Sequence, residues 1–364
     1  MSINEFYKGK TVLITGHTGF KGSWMCYLLS ELGASVYGVA LEAPENSLFC
    51  VSRVSEKICE SIECDIRDLS ALKAIFSRIK PEIVIHMAAQ PLVRESYENP
   101  VYTYEVNVMG TVNVLECCRN TASVKSVVNV TTDKVYKNKE WEWGYRENEE
   151  LDGYDPYSNS KSCSELVTSS YINSFMRDKG IAVSTMRAGN VIGGGDFAKD
   201  RIIPDCVRAV AENKDIIVRN PYSTRPFQHV LEPVYAYIFV AMKQYEDASY
   251  AGNYNVGPND SDCLKTGKLV ELFCDTWNHK CLRRNEANAS GFSRHPKWID
   301  KSDDGPHEAS FLKLDCSKIK ATFGIEPRWD IYQTMDKLCD WYLDYLEGKD
   351  IESCMQNQIK EYLG

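Results

Sequence analysis

Short apolar runs alternate with segments of helical spacing through the first half of the chain. Thr11–Gly16 is a buried-strand pattern that ends on glycine, and Ser23–Leu32 repeats its apolar positions at the helical period. Ser35–Leu41 reads as a second strand, and a third ends at Asp65. Leu69–Ile79 reads as a helix and Glu82–Ala89 as a fourth strand. Val101–Arg119 predicts one long helix, Ser126–Thr132 a strand, Ser158–Lys179 a helix and Ile181–Ala188 a strand. Strands that alternate with helices imply a doubly wound parallel α/β sheet, whose ligands lie at the carboxyl ends of the strands. Beyond about residue 190 the rhythm breaks into Gly-, Pro- and charge-rich segments. A helix at Glu232–Lys243, a strand at Asn253–Val256 and an amphipathic helix at Ile331–Tyr345 stand out there. The expected organisation is a Rossmann domain over residues 1–189 with returning segments near 228–256. A smaller C-terminal substrate-binding lobe takes residues 190–227 and 257–350.

At 364 residues, the chain can bury roughly 75% of its unfolded surface and needs no disulfide or metal staple. Its net charge is −9, which argues against sequence-independent binding to nucleic acid. The 14 cysteines include no Cys-x-x-Cys pair and no zinc-finger spacing, so we read them as reduced thiols and expect no metal. Neither a signal peptide nor a membrane span is visible, and the expected location is the cytoplasm.

The first strand runs into GHTGFKG, which places Gly16, Gly19 and Gly22 three residues apart. Glycines there let the backbone approach a pyrophosphate, and the helix that follows offers its free N–H groups to the anion. A ligand-free strand-to-helix turn uses the same residues, but this one opens a βαβ series. Glu42, twenty residues beyond Gly22, suits ribose hydroxyls and repels a 2′-phosphate, which favours NAD over NADP; a solvated loop charge is the other reading. Asp65 is either a partner for the adenine amino group or a helix cap.

Tyr157 and Lys161 lie four residues apart in YSNSK and share a helix face. A nearby ammonium favours the phenolate, so we expect Lys161 to lower the Tyr157 pKa and make the phenol a base toward a sugar hydroxyl. Thr132 can hydrogen-bond the same oxygen. Asp133 and Lys134 follow at once. Simple hydride transfer has no use for an acid and an amine there. An elimination has: a C4 ketone acidifies the C5 proton, one group removes it, and the other protonates the departing C6 hydroxyl.

The chain resembles the extended short-chain dehydrogenase/reductases, specifically the nucleotide-sugar 4,6-dehydratases, and most nearly their CDP-glucose branch. The resemblance runs through GHTGFKGSW (Gly16–Trp24), HMAAQPLVRESYENP (His86–Pro100), NVMGT (Asn107–Thr111), TTDKVYKN (Thr131–Asn138) and GYRE (Gly144–Glu147). It continues through DPYSNSK (Asp155–Lys161), AGNVIGGGD (Ala188–Asp196), DRIIPD (Asp200–Asp205), RPFQHVLEP (Arg225–Pro233) and PHEASFLKLD (Pro306–Asp315). The dTDP-glucose relatives carry Asp-Glu where this chain has Asp133-Lys134, although some UDP-N-acetylglucosamine dehydratases share Asp-Lys. Phe227 stands where Trp is commoner, and Glu42 where Asp is.

The resemblance implies an NAD-dependent hydro-lyase with Thr132, Asp133, Lys134, Tyr157 and Lys161 as catalytic residues. It implies a cofactor site of Gly16, Thr18, Gly19, Phe20, Lys21, Gly22, Glu42, Asp65, Ile66, Ala88, Ala89, Gln90 and Asn107, with Tyr157 and Lys161. The diphosphate calls for cationic partners; Arg94, Asn190, Arg201 and Arg225 are the candidates, with His307 and Glu308 toward the nucleoside. Trp141–Trp143 is read as a lid over the sugar or a packed loop. The partner is a nucleotide sugar, and the family suggests a homodimer or homotetramer through Val101–Arg119 and Ser158–Lys179. The alternatives are a dehydratase for another nucleotide sugar, an epimerase on the same scaffold, or a catalytically idle NAD-binding protein.

Overall fold

The computed structural model describes residues 1–285, 296–301 and 311–364. Seven strands form one parallel sheet: β1 (Thr11–Thr15), β2 (Ser35–Ala40), β3 (Glu60–Glu63), β4 (Ile83–His86), β5 (Ser126–Thr132), β6 (Ala182–Ala188) and β7 (Asn253–Val256). Their order is β7-β6-β5-β4-β1-β2-β3. The order reverses between β1 and β4, and the crevice beyond their carboxyl ends is where such sheets take ligands.

The inner strands β1 and β4 read as continuous apolar runs because both faces are covered, whereas the edge strand β3 is polar and partly exposed. Side-chain alternation divides each run. Val12, Ile14, Ile83, Ile85, Val128 and Val130 join one core, with Trp24 and Tyr27 of α1 (Phe20–Glu31). Leu13, Val84 and Val127 join the other, with Leu72 and Phe76 of α2 (Leu69–Ile79) and Val114 of α3 (Gly110–Arg119). All seven residues of β5 are buried, polar ones included. The Asn129 amide nitrogen is satisfied by α4 (Pro156–Tyr171), donating to Ser164 Oγ at 3.0 Å and Thr168 Oγ1 at 2.8 Å.

The chain leaves the sheet after β6, builds α5 (Ile202–Ala211) and returns through α6 (Leu231–Glu246) to β7. It then adds α7 (Thr266–Asn285), α8 (Ile331–Leu346) and α9 (Ile351–Leu363). Two of the expected helices are interrupted. Val101–Arg119 divides into Pro100–Tyr104, a π turn at Glu105–Met109 and α3. The second, Ser158–Lys179, starts earlier at Pro156 and loosens into a π turn at Ile172–Met176. Buried positions continue at ordinary helical spacing through the first π turn (Thr103, Val106, Asn107, Gly110, Thr111 and Val114), so the sequence pattern does not mark it. Among the described residues no helix is long and apolar enough to cross a membrane.

Candidate active site

The glycine loop is shaped by close backbone packing. Gly16 has φ +78°, and a Cβ there would lie 2.7 Å from Ala88 N. A Cβ at Gly22 would lie 2.2 Å from the Gly16 carbonyl oxygen, so only glycine lets α1 seat against the turn. Gly19 differs: its Cβ position meets only Gly16 O, at 3.4 Å. The approach to Gly19 and the first turn of α1 is therefore open, as an anion cradle requires. Thr18 Oγ1 donates to Leu41 O at 3.3 Å, tying this turn to the end of β2.

The outer residues of the expected cofactor site are more heavily engaged than their sequence positions suggest. Glu42 does not end β2; the strand stops at Ala40 and Glu42 is exposed beyond it. Asp65 neither ends β3 nor caps α2. Asp68 caps α2, while the Asp65 carboxylate accepts from Arg67 Nε at 3.0 Å and Nη2 at 2.7 Å, which lowers its pKa. Ile66 is buried against Gly110. Ala88 and Ala89 follow β4, and Ala88 N donates to Thr15 Oγ1 at 3.2 Å. Gln90 N donates to Asn107 Oδ1 at 2.8 Å and Asn107 Nδ2 to Gln90 O at 3.0 Å, so this pair shapes the loop wall through its own mutual bonds.

A cavity of about 1040 Å³ lies at the carboxyl ends of β5 and β6, and Thr132, Asp133, Lys134 and Tyr157 line it. Thr132 Oγ1 donates to Asp133 Oδ1 at 3.0 Å and accepts from Lys134 N at 3.4 Å. Asp133 is buried, and its Oδ2 has no hydrogen-bond partner within the protein. Burial raises its pKa, while Lys134, Thr132 and Arg225 pull it down. Asp155 caps α4 by accepting from Ser158 N at 3.0 Å, and Pro156 occupies the first turn; together they fix the register that presents Tyr157 and Lys161. Lys161 is buried and donates to Val130 O at 3.2 Å; burial and Lys21 push its ammonium down to about 8.

One expectation is overturned here. The Tyr157 phenol is not lowered by its lysine; burial pushes it up to about 12, with Thr132 and Arg201 opposing. The Lys161 ammonium is spent on a strand carbonyl, and loss of water around the phenol outweighs any distant charge. Lys21 sits differently from its place in the glycine motif. Its side chain joins the same cavity wall as Tyr157, and burial, with Arg201, pushes it down to about 8.

Arg94, Asn190, Arg201 and Arg225 all reach this cavity. Arg201 Nη1 donates to Asp196 Oδ2 at 2.9 Å, and Arg94 stands 3.9 Å from Asp200. Arg225 is buried behind Asp133 and donates to Thr224 O at 3.1 Å. Lys199 and Arg219 also line the cavity and were not singled out from sequence; both lie within a few residues of the Asp200–Asp205 motif or its facing strand, which was the available signal. His307 and Glu308 lie outside the described residues. Trp141 and Trp143 do not cover this cavity. They flank a second one of about 760 Å³, with Arg146 and Lys313. Among the described residues no group of three or more His, Cys, Asp or Glu could hold a metal.

The family model for GDP-mannose 4,6-dehydratase matches residues 13–338. The chain belongs to the GDP-mannose 4,6-dehydratase family. Within that family, it is 46% identical over 366 residues to a CDP-glucose 4,6-dehydratase of Salmonella typhimurium, covering 99% of this chain and 98% of that one. Among solved structures, a UDP-glucose 4-epimerase of Thermus thermophilus in complex with NAD superposes with a TM-score of 0.74 at 23% identity, covering 91% of this chain and 98% of that one. A dTDP-glucose 4,6-dehydratase of Bacillus anthracis in complex with NAD gives 0.72 at 20% identity, covering 94% and 99%. At these identities the two structures establish the shared fold alone.

Proposed function

We propose that this chain is an NAD-dependent hydro-lyase that converts CDP-glucose to CDP-4-keto-6-deoxyglucose and water. The observation that carries this reading is the buried Asp133 carboxyl, whose Oδ2 has no protein partner, set between Thr132 and Lys134 on the cavity wall. An epimerase has no use for that acid and amine; an elimination needs both. The choice of CDP-glucose follows the 46%-identical relative.

The open cradle at Gly19 and the first turn of α1 fit a pyrophosphate. A nicotinamide cofactor held there would supply a two-electron acceptor for hydride moved between C4 and C6 of the sugar. The chain's own groups move the protons. Tyr157 accepts the proton of the 4-hydroxyl as its phenolate, a form that Thr132 and Arg201 favour against the burial that opposes it. Lys134 takes the C5 proton and gives it back to C5 once hydride reaches C6, and Asp133, whose raised pKa favours its protonated form, gives a proton to the C6 oxygen as it leaves as water. Arg201 and Arg225, with Arg94 at the mouth, face the substrate diphosphate. In this division residues 1–189 and 228–256 hold the cofactor, and residues 190–227 and 257–350 hold the nucleotide sugar. Exposed Val101, Met109 and Leu166 on the helices beside β4 and β5 support assembly of copies through that face in the cytoplasm.

The test is incubation with CDP-, dTDP-, UDP- and GDP-glucose, followed by the alkali-induced absorbance of a 4-keto sugar. Product from CDP-glucose is expected; product from another hexose alone refutes the nucleotide assignment, and none from any refutes the reaction. Lys134→Ala is expected to form enzyme-bound reduced cofactor without releasing water, and wild-type turnover by this variant would overturn the role given to Lys134.

A further inference from the structure

Beneath the proposed catalytic turn lies an ion pair with no place in the proton transfers. Glu165 and Arg187 have side chains only 2% and 1% exposed. Glu165 lies on α4, one turn beyond Lys161 and two beyond Tyr157. Its carboxylate accepts four hydrogen bonds: from Thr131 Oγ1 at 2.5 Å, Thr185 Oγ1 at 2.6 Å, Arg187 Nε at 2.9 Å and Arg187 Nη2 at 2.9 Å. The other guanidinium nitrogen of Arg187 donates to the Tyr136 hydroxyl and the Glu147 carbonyl, both at 2.9 Å. Tyr136 OH passes the chain on to Asn255 Oδ1 at 2.6 Å.

The positions of these partners matter. Thr131 immediately precedes Thr132-Asp133-Lys134, and Tyr136 follows one residue after the turn ends at Val135. The pair therefore grips both flanks of the turn and ties them to the helix that presents Tyr157 and Lys161. A buried ion pair of this kind pays heavily in desolvation, and an apolar pair of equal volume often serves stability as well. Its geometry supplies something an apolar pair lacks: a fixed negative charge one helical turn from Lys161.

We infer that Glu165–Arg187 is a positioning pair for the proposed reaction, fixing the Thr132-Asp133-Lys134 turn against α4 and keeping Lys161 in its charged form. The inference rests on the function proposed above. Three other features face Lys161: Lys21 from α1, His86 from β4 and the Val130 carbonyl from β5. Lys21 opposes its charge, and His86 is pushed down to about 3 by burial and by Lys161, so it is neutral. Glu165 is the carboxylate that supports the ammonium.

The test combines steady-state kinetics across pH 6–9.5 with NMR titration of ¹³Cε-lysine in the full-length protein, the Lys161 signal being assigned by its loss in Lys161→Met. Glu165→Gln is expected to lower kcat by about 10²-fold through a displaced turn, with KM within about threefold. The Lys161 midpoint and the alkaline limb of kcat/KM should both move down by about half a pH unit or more. Glu165→Asp keeps the charge but is one methylene short, so kcat should fall while the midpoint stays near wild type. If Glu165→Gln does not fold, the Glu165→Gln/Arg187→Met double variant leaves no buried unpaired charge and carries the same expectations. Wild-type kcat, or an unmoved Lys161 midpoint, in a folded charge-removing variant overturns the inference, as does full activity in Glu165→Asp. A wild-type protein that turns over no nucleotide hexose refutes the reaction instead, and the Lys161 midpoint still decides the role of the pair.

Discussion

A carboxyl group that must give up a proton is useful only where ionisation is unfavourable, and Asp133 is in such a place. Its folded pKa lies above the ordinary 3.8, so burial destabilises the folded state once the pH exceeds that folded value. The penalty is absent below the unfolded value. Asp133→Asn is therefore expected to raise thermal stability at pH 8, by about 1 kcal/mol, with the gain shrinking as the pH falls toward 4. The same variant should lose about 10²-fold or more in kcat. Melting curves at the two pH values and one turnover assay check both. Gly22→Ala should act the other way. Alanine ordinarily gains about 1 kcal/mol over glycine in a helix. Here its Cβ would meet Gly16 O at 2.2 Å, so a net loss of about 2 kcal/mol and weakened cofactor binding are expected, read by denaturant unfolding and NAD titration. At this scale the sequence announced residue types and spacings well: Thr132, Asp133, Lys134 and Tyr157 do line one cavity. It could not announce hydrogen-bond allegiance. Asp65 is taken by Arg67, and the Lys161 ammonium by Val130 O, because those partners are set by backbone turns that apolar spacing does not encode.

Among the elements, α4 carries the most responsibility. Asp155 and Pro156 start it, Tyr157 faces the cavity, Lys161 is buried against the Val130 carbonyl, and Ser164, Glu165 and Thr168 bind the polar side chains of β5 and β6. Its outward side shows Leu166, 57% exposed, and neighbouring segments expose Val101 at 70% and Met109 at 52%. Unpartnered apolar side chains on adjoining helices suit burial against a second copy. Leu166→Asp is expected to shift the protein toward monomer in light scattering while leaving its far-ultraviolet circular dichroism unchanged; an unaltered mass would argue for a different face. The strands and the helix Leu69–Ile79 were legible because apolar runs and caps are local signals. The two π turns were not; buried positions keep ordinary helical spacing through the first, which accommodates Asn107, whose amide joins Gln90 and Ser160.

Across the whole molecule, all 14 cysteines are free thiols. Cys50 and Cys59 are exposed, whereas seven, including Cys26, Cys117 and Cys316, are buried, with the Cys117 and Cys316 thiols pushed up to about 12 by loss of water. A thiol-reactive dye should label two groups rapidly in the native protein and fourteen after unfolding without reductant; a smaller final number would reveal a cross-link. The parallel sheet was readable from the strand–helix alternation. The sequence also has a helix and a strand near 228–256 returning to it, and Asn253–Val256 pairs in parallel with Thr185–Ala188 at one edge. That return means the cavity wall facing the catalytic turn is built from chain that departs from the sheet at Ala188 and re-enters it at Asn253, with both crossings under apolar cover. No single cut would release the sugar-facing portion as a transplantable cassette. Altering what this scaffold accepts must then proceed by side-chain exchange around the rim, one position at a time, rather than by swapping modules.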